Sequence, residues 1–530
     1  MSALPTRTLP MGDRAILVEV EGLDAVLALH ARLVAEPPPG VIDLVPAART
    51  VLITVDPAVL SLSRARAWVT DAATAASAEQ AAAPAEVELD IRYDGADLED
   101  TAELLGMTAA ELAGRHAHAT WTVAFTGFAP GFGYLVSEDW PFDVPRLATP
   151  RTRVPAGAVG VAGVFSGAYP RETPGGWRLL GTTDEPLFDP ARPSPALLAP
   201  GMRVRFRTLA GEERTLAGRE RTLAGEERTL AGEERTLAGG AGALRVEEPG
   251  LLATVQDRGR PGSAALGIAR SGAMDRRALG AANRLVGNPQ GAAAIEITLG
   301  GFRAVALADM LFAVTGGGGP LRLAGRDIDP YAAHRWPAGA ELEVGWIERG
   351  ARAILALRGG VEGLLVRGSR ATDILSGLGP APLAAGDLVE VGPVPAAPVP
   401  PSPDAAWGAP DGDDLEIDLA PGPRADWFTA DARATLFEAT WVVSGAADRV
   451  GIRLDGPSLA RARDDELPSE GMVPGALQVP PSGRPTILGP DAPVTGGYPV
   501  IAVVTDAALD ALAQARPGSR IRFRHARVRS

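Results

Sequence analysis

The sequence predicts a mainly β protein with some α+β character, divided into several barrel-like domains. Short runs rich in Val, Leu and Ala recur between turns, as at Val159–Val164 and Arg203–Phe206. The 63 glycines and 47 prolines punctuate the chain too often for many long elements. Helical patterning is confined to a few stretches, near Leu23–Val34 and Leu98–His118.

At 530 residues the chain exceeds one ordinary core and is expected to form three or four folded domains. The first, 1–80, reads as a small α/β unit with strands Met11–Ile16 and Thr50–Val55 around the helix near Leu23–Val34. The Ala-rich Ala72–Ala85 separates it from a β-rich domain over 85–206. After 207–243 come two more barrel-like domains, 244–392 and 404–530, parted by the Pro-rich Pro393–Pro403.

Segment 207–243 is repetitive. Arg207-Thr-Leu-Ala-Gly-Glu-Glu recurs from Arg214 and, varied or exact, from Arg221, Arg228 and Arg235. A coiled coil needs two apolar seam positions per heptad and this unit offers one leucine, with a glycine that disfavours helix. The expectation is a solvated linker spanning about 35 Å as a flexible coil, short enough for the halves to pack together.

Composition excludes several functions. The 46% hydrophobic and 22% charged content describes a globular chain. A net charge of −14 argues against nucleic acid or an anionic membrane as partner. No run approaches a membrane span, and Asp13 and Glu19 interrupt any apolar leader, so a cytoplasmic address is expected. Without cysteine there are no disulfides or thiolate sites. All 51 basic residues are arginine. Lacking lysine, the chain offers no Walker-type loop, no Schiff base and no covalent biotin.

In the first half, Gly127-Phe-Ala-Pro-Gly-Phe-Gly-Tyr134 packs aromatics between turn glycines. Pro150-Arg-Thr-Arg-Val-Pro-Ala-Gly-Ala-Val-Gly160 and Tyr169-Pro-Arg-Glu-Thr-Pro-Gly-Gly-Trp177 follow. Loops of this composition can offer guanidinium forks and backbone N–H groups to an anion. With Gly12-Asp13, Val45-Pro46-Ala47 and His116 before Trp121, residues 5–206 resemble the B component of bacterial 5-oxoprolinase, a family also known as the first allophanate hydrolase component. The chain departs from that pattern at Gly181-Thr-Thr183 and Gly201-Met202.

The second half carries Leu251-Leu-Ala-Thr-Val-Gln-Asp-Arg-Gly-Arg-Pro-Gly262, Ser271-Gly-Ala-Met-Asp275, Ala282-Asn-Arg-Leu-Val-Gly-Asn288 and Ala294-Ile-Glu-Ile-Thr298. Further on are Gly368-Ser369, Thr372-Asp373, Asp448-Arg-Val-Gly-Ile-Arg-Leu454, Ser469-Glu470, Gln478-Val-Pro480 and Asp491 with Thr495-Gly-Gly-Tyr-Pro499. Residues 244–525 resemble the C component of the same enzyme, a biotin-dependent carboxyltransferase-like family; Pro493-Val494 departs from it.

The resemblance implies cyclophilin-like barrels in both halves. It also implies ATP-dependent opening of the lactam of 5-oxoproline to glutamate, with Mg²⁺ and a separate 5-oxoprolinase A component of LamB/YcsF type. Activating an unstrained amide oxygen requires arginines and carboxylates in fixed positions. The expected catalytic residues are Asp257, Asp275, Glu470, Arg449 and Gln256. Ser271, Asn283, Gln478, Arg453 and Thr495 are expected to bind the small-molecule substrate. Arg151, Arg153, Gly175 and Gly176 are candidates for the nucleotide or another anion, and Glu296 and Asp491 for a metal.

Plainer roles compete with these. Ser271 lacks a local histidine base and reads better as a turn cap than a nucleophile. Asp448-Arg449 read alone is a surface ion pair, and Asn283 a helix cap or core hydrogen bond. Gly316–Gly319 reads as a turn, and His116 as a structural histidine. Two other functions share these domains: the carboxyltransferase part of a biotin-dependent urea carboxylase, and a non-enzymatic kinase-regulating module.

Overall fold

The computed structural model describes residues 6–74, 85–190, 192, 194–209, 243–400, 408 and 412–526. The repeat beyond Leu209 lies outside the described residues; Arg207 and Thr208 of its first unit end the strand Arg203–Thr208.

The N-terminal unit is a four-stranded antiparallel sheet in the order Arg7–Pro10, Ala15–Glu19, Thr50–Val55, Val41–Pro46. The expected strand Met11–Ile16 is instead a hairpin. Gly12 takes φ +78, the left-handed region glycine tolerates, and Met11 N–H donates to Ala15 C=O at 3.2 Å. Helix Leu62–Thr74 is not evident in the sequence, because its Arg-, Ser- and Ala-rich run carries only the weak apolar stripe Ala65, Val69 and Ala73. Alternation along the sheet serves two neighbours. Ile16, Val18, Val51 and Ile53 pack with Val26, Leu29 and Leu33 of helix Leu23–Ala35. Leu9, Leu17 and Leu52 on the opposite face pack with Met472, Leu488 and Val503 from the far end of the chain.

Residues 86–208 form a seven-stranded sheet whose outer pair, Arg203–Thr208 and Glu86–Ile91, is parallel. The single helix expected over Leu98–His118 is two, Leu98–Leu104 and Ala109–His118. Gly106 at φ +69 ends the first, and Thr108 with Glu111 forms a capping box for the second. His116 is buried, with Nδ1 2.8 Å from Tyr93 Oη and Nε2 2.7 Å from Ser166 Oγ. Burial pushes its pKa down to about 3, which suits the structural role over that of a general base.

Residues 244–389 form a sandwich of a six-stranded and a five-stranded sheet around Val246, Phe302, Leu342, Val255, Ile297 and Leu355. Helix Arg276–Leu285 covers the outer face of the five-stranded sheet. Gly316–Gly318, expected in a turn, belong to strand Met310–Gly318: a Cβ at Gly316 would lie 2.4 Å from the Arg352 carbonyl oxygen.

Residues 414–525 close into a seven-stranded barrel. It repeats devices of the 86–208 domain: a parallel pair, here Asp414–Pro421 with Arg520–His525, and a Thr-capped helix, Ala430–Glu438. In both domains a buried tryptophan follows that helix. Trp121 donates to His116 C=O and Trp441 to Leu436 C=O, each five residues back. The molecule is thus mainly β, with barrel-like domains in both halves.

Candidate functional site

The second-half motifs converge where the sandwich meets the barrel. Glu296 sits on strand Ala294–Thr298, and Arg449 and Asp491 come from loops of the barrel. Arg449 donates through Nη1 to Glu296 Oε1 at 2.5 Å, and through Nε and Nη2 to Asp491 at 2.9 and 3.0 Å. Nη2 also reaches the Gly272 carbonyl at 2.7 Å. Two carboxylates raise the Arg449 pKa above an already high value despite full burial, so the guanidinium is permanently charged.

Ser271 joins the network from the loop that precedes helix Arg276–Leu285. Its Oγ lies 2.7 Å from Asp491 Oδ1 and 2.9 Å from the Thr372 carbonyl, and its backbone takes φ +55. No histidine among the described residues bonds it. Backbone donors add to both acids: Glu296 Oε2 accepts from Met274 N–H, and Asp491 Oδ2 from Ile374 N–H. With Arg449 on both, Glu296 and Asp491 are counterions and do not fit a metal.

Asp257 fastens the neighbouring loop, accepting from Gly259 N–H, Ser369 Oγ–H and Arg370 N–H at 2.6–2.7 Å. Gln256 donates to Thr254 Oγ1 and the Thr372 carbonyl. Asp275 caps helix Arg276–Leu285 through Ala278 N–H and accepts from Gln514 of the barrel domain at 2.7 Å. Asn283 bridges the Ala292 carbonyl and Asn288. These residues, which the sequence suggests for chemistry, hold loops and domains together.

Glu470 belongs to another cluster. Its Oε1 pairs with Arg424, which also bonds Glu19 of the N-terminal sheet at 2.7 Å. Glu470 Oε2 is buried without a partner among the described residues, and burial raises the pKa of the group. Arg453 is exposed on strand Gly451–Asp455, and Gln478 is half-buried on strand Ala476–Gln478.

The halves meet at a seam. A Cβ at Gly127 would fall 1.8 Å from Thr495 Oγ1, so the turn motif of the first half abuts the barrel directly. Thr126 Oγ1 donates to the Ala265 carbonyl at 2.7 Å. Arg151 instead bonds Asp97, and exposed Arg153 pairs with Glu172, both at 2.6 Å. Gly175 makes room for Tyr169, whose hydroxyl oxygen lies 2.6 Å from where a Cβ would be; a Cβ at Gly176 would meet Pro150 at 3.7 Å, an ordinary contact. These loop arginines are neutralised within their own domain.

Sequence reasoning does not single out Arg260. It is buried, and among the described residues its guanidinium bonds the Ala371 carbonyl alone, leaving Nε and Nη1 without partners. Its setting among Asp373, Asp257 and Asp491 is electrostatic. Nothing local in the sequence points to Gln514 or Arg424, whose partners lie far away in the chain.

Beside Ser271 a cavity of about 150 Å³ opens between the N-terminal sheet, the 258–276 loop and the barrel. Its wall is largely apolar and includes Met11, Met274 and Met472, with Arg14, Arg270 and Arg276 among the polar lining.

Two barrel-bearing halves joined through such a seam define a carboxyltransferase-type architecture. Residues 6–198 match the carboxyltransferase domain, subdomain C and D, and residues 266–525 match the carboxyltransferase domain, subdomain A and B. The second half is 37% identical over 290 residues to the C component of 5-oxoprolinase from Escherichia coli K12, covering 53% of this chain and 90% of that protein. Over 123 residues the chain is 46% identical to the 5-oxoprolinase B component of Escherichia coli O157:H7, covering 23% of this chain and 56% of that one. Urea amidolyase of Lachancea kluyveri is 33% identical over 308 residues, 53% of this chain and 17% of that protein. A crystal structure of TTHA0988 superposes with a TM-score of 0.82 at 37% identity, covering 96% of this chain and 99% of that one. The chain therefore belongs to the carboxyltransferase-domain family that contains the B and C components of 5-oxoprolinase. It unites a B-like and a C-like half in one polypeptide.

Proposed function

We propose that the chain supplies the fused B and C components of an ATP-dependent 5-oxoprolinase, which opens the lactam of 5-oxoproline to L-glutamate with a separate A component of LamB/YcsF type. The observation that carries this is the co-occurrence, in one chain, of halves similar to the B and C components of that enzyme. A cytoplasmic address belongs to the same reading.

A lactam carbonyl is a weak electrophile, and activation at its oxygen lets water attack the ring carbon. The groups that meet the developing charge must already be in place when it forms. In this reading Arg449, Glu296, Asp491 and Ser271 act as positioning residues that fix the 269–275 loop against the cavity. Gln256 and Asp257 do the same for the 369–373 loop, and Asp275 ties helix Arg276–Leu285 to the barrel. ATP and Mg²⁺ are required by the overall reaction; Arg151 and Arg153, the candidates for the nucleotide, would have to exchange their pairings with Asp97 and Glu172 to take it. Biotin has no lysine on which to be carried.

The test is reconstitution. The chain mixed with an A-type partner, 5-oxoproline, Mg²⁺ and ATP is expected to form glutamate and ADP, and the chain alone to form no glutamate. No glutamate from the mixture contradicts the proposal. The similarity to urea amidolyase favours a second reading, a carboxyltransferase working with carboxybiotin from another chain. That activity would depend on bicarbonate and stop with avidin.

A further inference from the structure

Four arginines line the cavity beside Ser271, and they are not equivalent. Arg258 is exposed, and its Nη2 donates to Gln290 Oε1 at 3.4 Å. Arg14 bonds Asp506 at 2.6 Å, and Arg276 bonds Asp506 and Asp510. Arg270 forms no hydrogen bond or ion pair through its guanidinium with any described residue, although the residue is only partly exposed. The carboxylates near it are engaged elsewhere: Asp43 accepts from Gly262 N–H and Ala264 N–H, and Asp506 is shared by Arg14 and Arg276. Burial and the neighbouring cations Arg276 and Arg14 disfavour the charge on Arg270, while Asp506 and Asp43 offset this in part. An unpaired guanidinium held among like charges retains its full capacity for an incoming anion.

The rest of the wall sets the shape of that anion. A volume of about 150 Å³ matches, to order of magnitude, a cavity that holds one six-membered ring. Met11, Met274 and Met472 give it a surface that adapts to a small apolar ring. Phosphate or sulfate would leave this apolar wall unused, and a nucleotide is too large.

We propose that this three-way junction is a binding site for small cyclic monocarboxylates, with Arg270 pairing the carboxylate and the methionine-lined wall taking the ring. 5-Oxoproline is one member of the class, and only that choice of ring rests on the oxoprolinase reading. Each of the three domains contributes wall, so the site exists only when the halves are assembled.

Calorimetric titration of the full chain with cyclopentanecarboxylate, 5-oxoproline and 2-pyrrolidinone tests this. Both carboxylates are expected to bind saturably, and 2-pyrrolidinone, which lacks the carboxylate, at least about tenfold more weakly. Arg270→Gln is expected to weaken the carboxylates by about tenfold or more and leave 2-pyrrolidinone unchanged, with Arg270→Lys in between. Carboxylates that bind no better than 2-pyrrolidinone, or that are indifferent to Arg270→Gln, overturn the proposal. Should that variant not fold, phenylglyoxal modification of the native protein, mapped by peptide mass spectrometry, decides. Cyclopentanecarboxylate should slow modification of Arg270, and absence of protection overturns the site. Binding of cyclopentanecarboxylate without any turnover of 5-oxoproline would keep the site and remove the oxoprolinase reading. Turnover without protection of Arg270 would do the reverse.

Discussion

Arg449 of the barrel and Glu296 of the sandwich meet at 2.5 Å across a domain boundary, with neither side chain reaching solvent. Asp491 completes the pairing on the other side of the guanidinium. Such a group is costly to desolvate and costlier to break, because each partner then leaves a buried charge uncompensated.

Arg449→Met is therefore expected to destabilise the second half by about 3–5 kcal/mol, read by urea denaturation. Adding Glu296→Gln and Asp491→Asn to that variant should recover part of the loss. A loss below about 1 kcal/mol for the single change would show that the network is not holding the domains.

A pH effect is expected from His116. Its pKa falls from the ordinary 6.5 to about 3 on folding, so the unfolded chain binds a proton that the folded chain refuses. Stability from this group is complete above about pH 6.5 and is lost progressively as pH falls toward 3. His116→Phe should flatten this dependence in thermal melts of the full chain between pH 4 and 7, whatever it costs in absolute stability. An unchanged slope would mean that His116 is not the group responsible.

At the seam, Gly127→Ala would drive a methyl group into Thr495 Oγ1. Overpacking of this kind costs about 1–3 kcal/mol. Thr495→Ala should relieve part of it, and a double-mutant cycle on thermal stability measures the coupling. Additive effects would contradict direct contact.

The halves should also remain associated without a covalent link. The sheet face bearing Leu9, Leu17 and Leu52 is buried by Met472, Leu488, Val503 and their neighbours in the barrel. A specific protease site placed within 210–242 should, after cleavage, give two fragments that co-elute on gel filtration. Separate elution would show that this apolar contact is too weak to hold them.

Much of the fold is legible in the sequence because it follows from local rules. A continuous β-branched and apolar run marks Thr50–Val55, and a 3.6-residue stripe of Val26, Leu29 and Leu33 marks the first helix. Where a turn glycine is read as part of an element, the reading fails, as at Met11–Ile16. Gly316–Gly318 fails in the opposite sense, since close packing against Arg352 looks like a turn in sequence. The motifs contain Asp257, Ser271, Glu296, Arg449 and Asp491 but do not disclose their bonds, because what each carboxylate meets is decided by residues far away in sequence. Glu470 shares their motif character, yet it pairs with Arg424, which also bonds Glu19. Arg270 gives no signal at all, since an arginine without a partner differs from a paired one only in three dimensions.

The central claim, that this chain is the B and C part of a 5-oxoprolinase, is tested most directly by product formation in the reconstituted mixture with and without avidin. Glutamate and ADP should appear in equal amounts from 5-oxoproline, need the A-type partner, and be indifferent to avidin and bicarbonate. Turnover of urea that requires bicarbonate and stops with avidin, with none of 5-oxoproline, would contradict it.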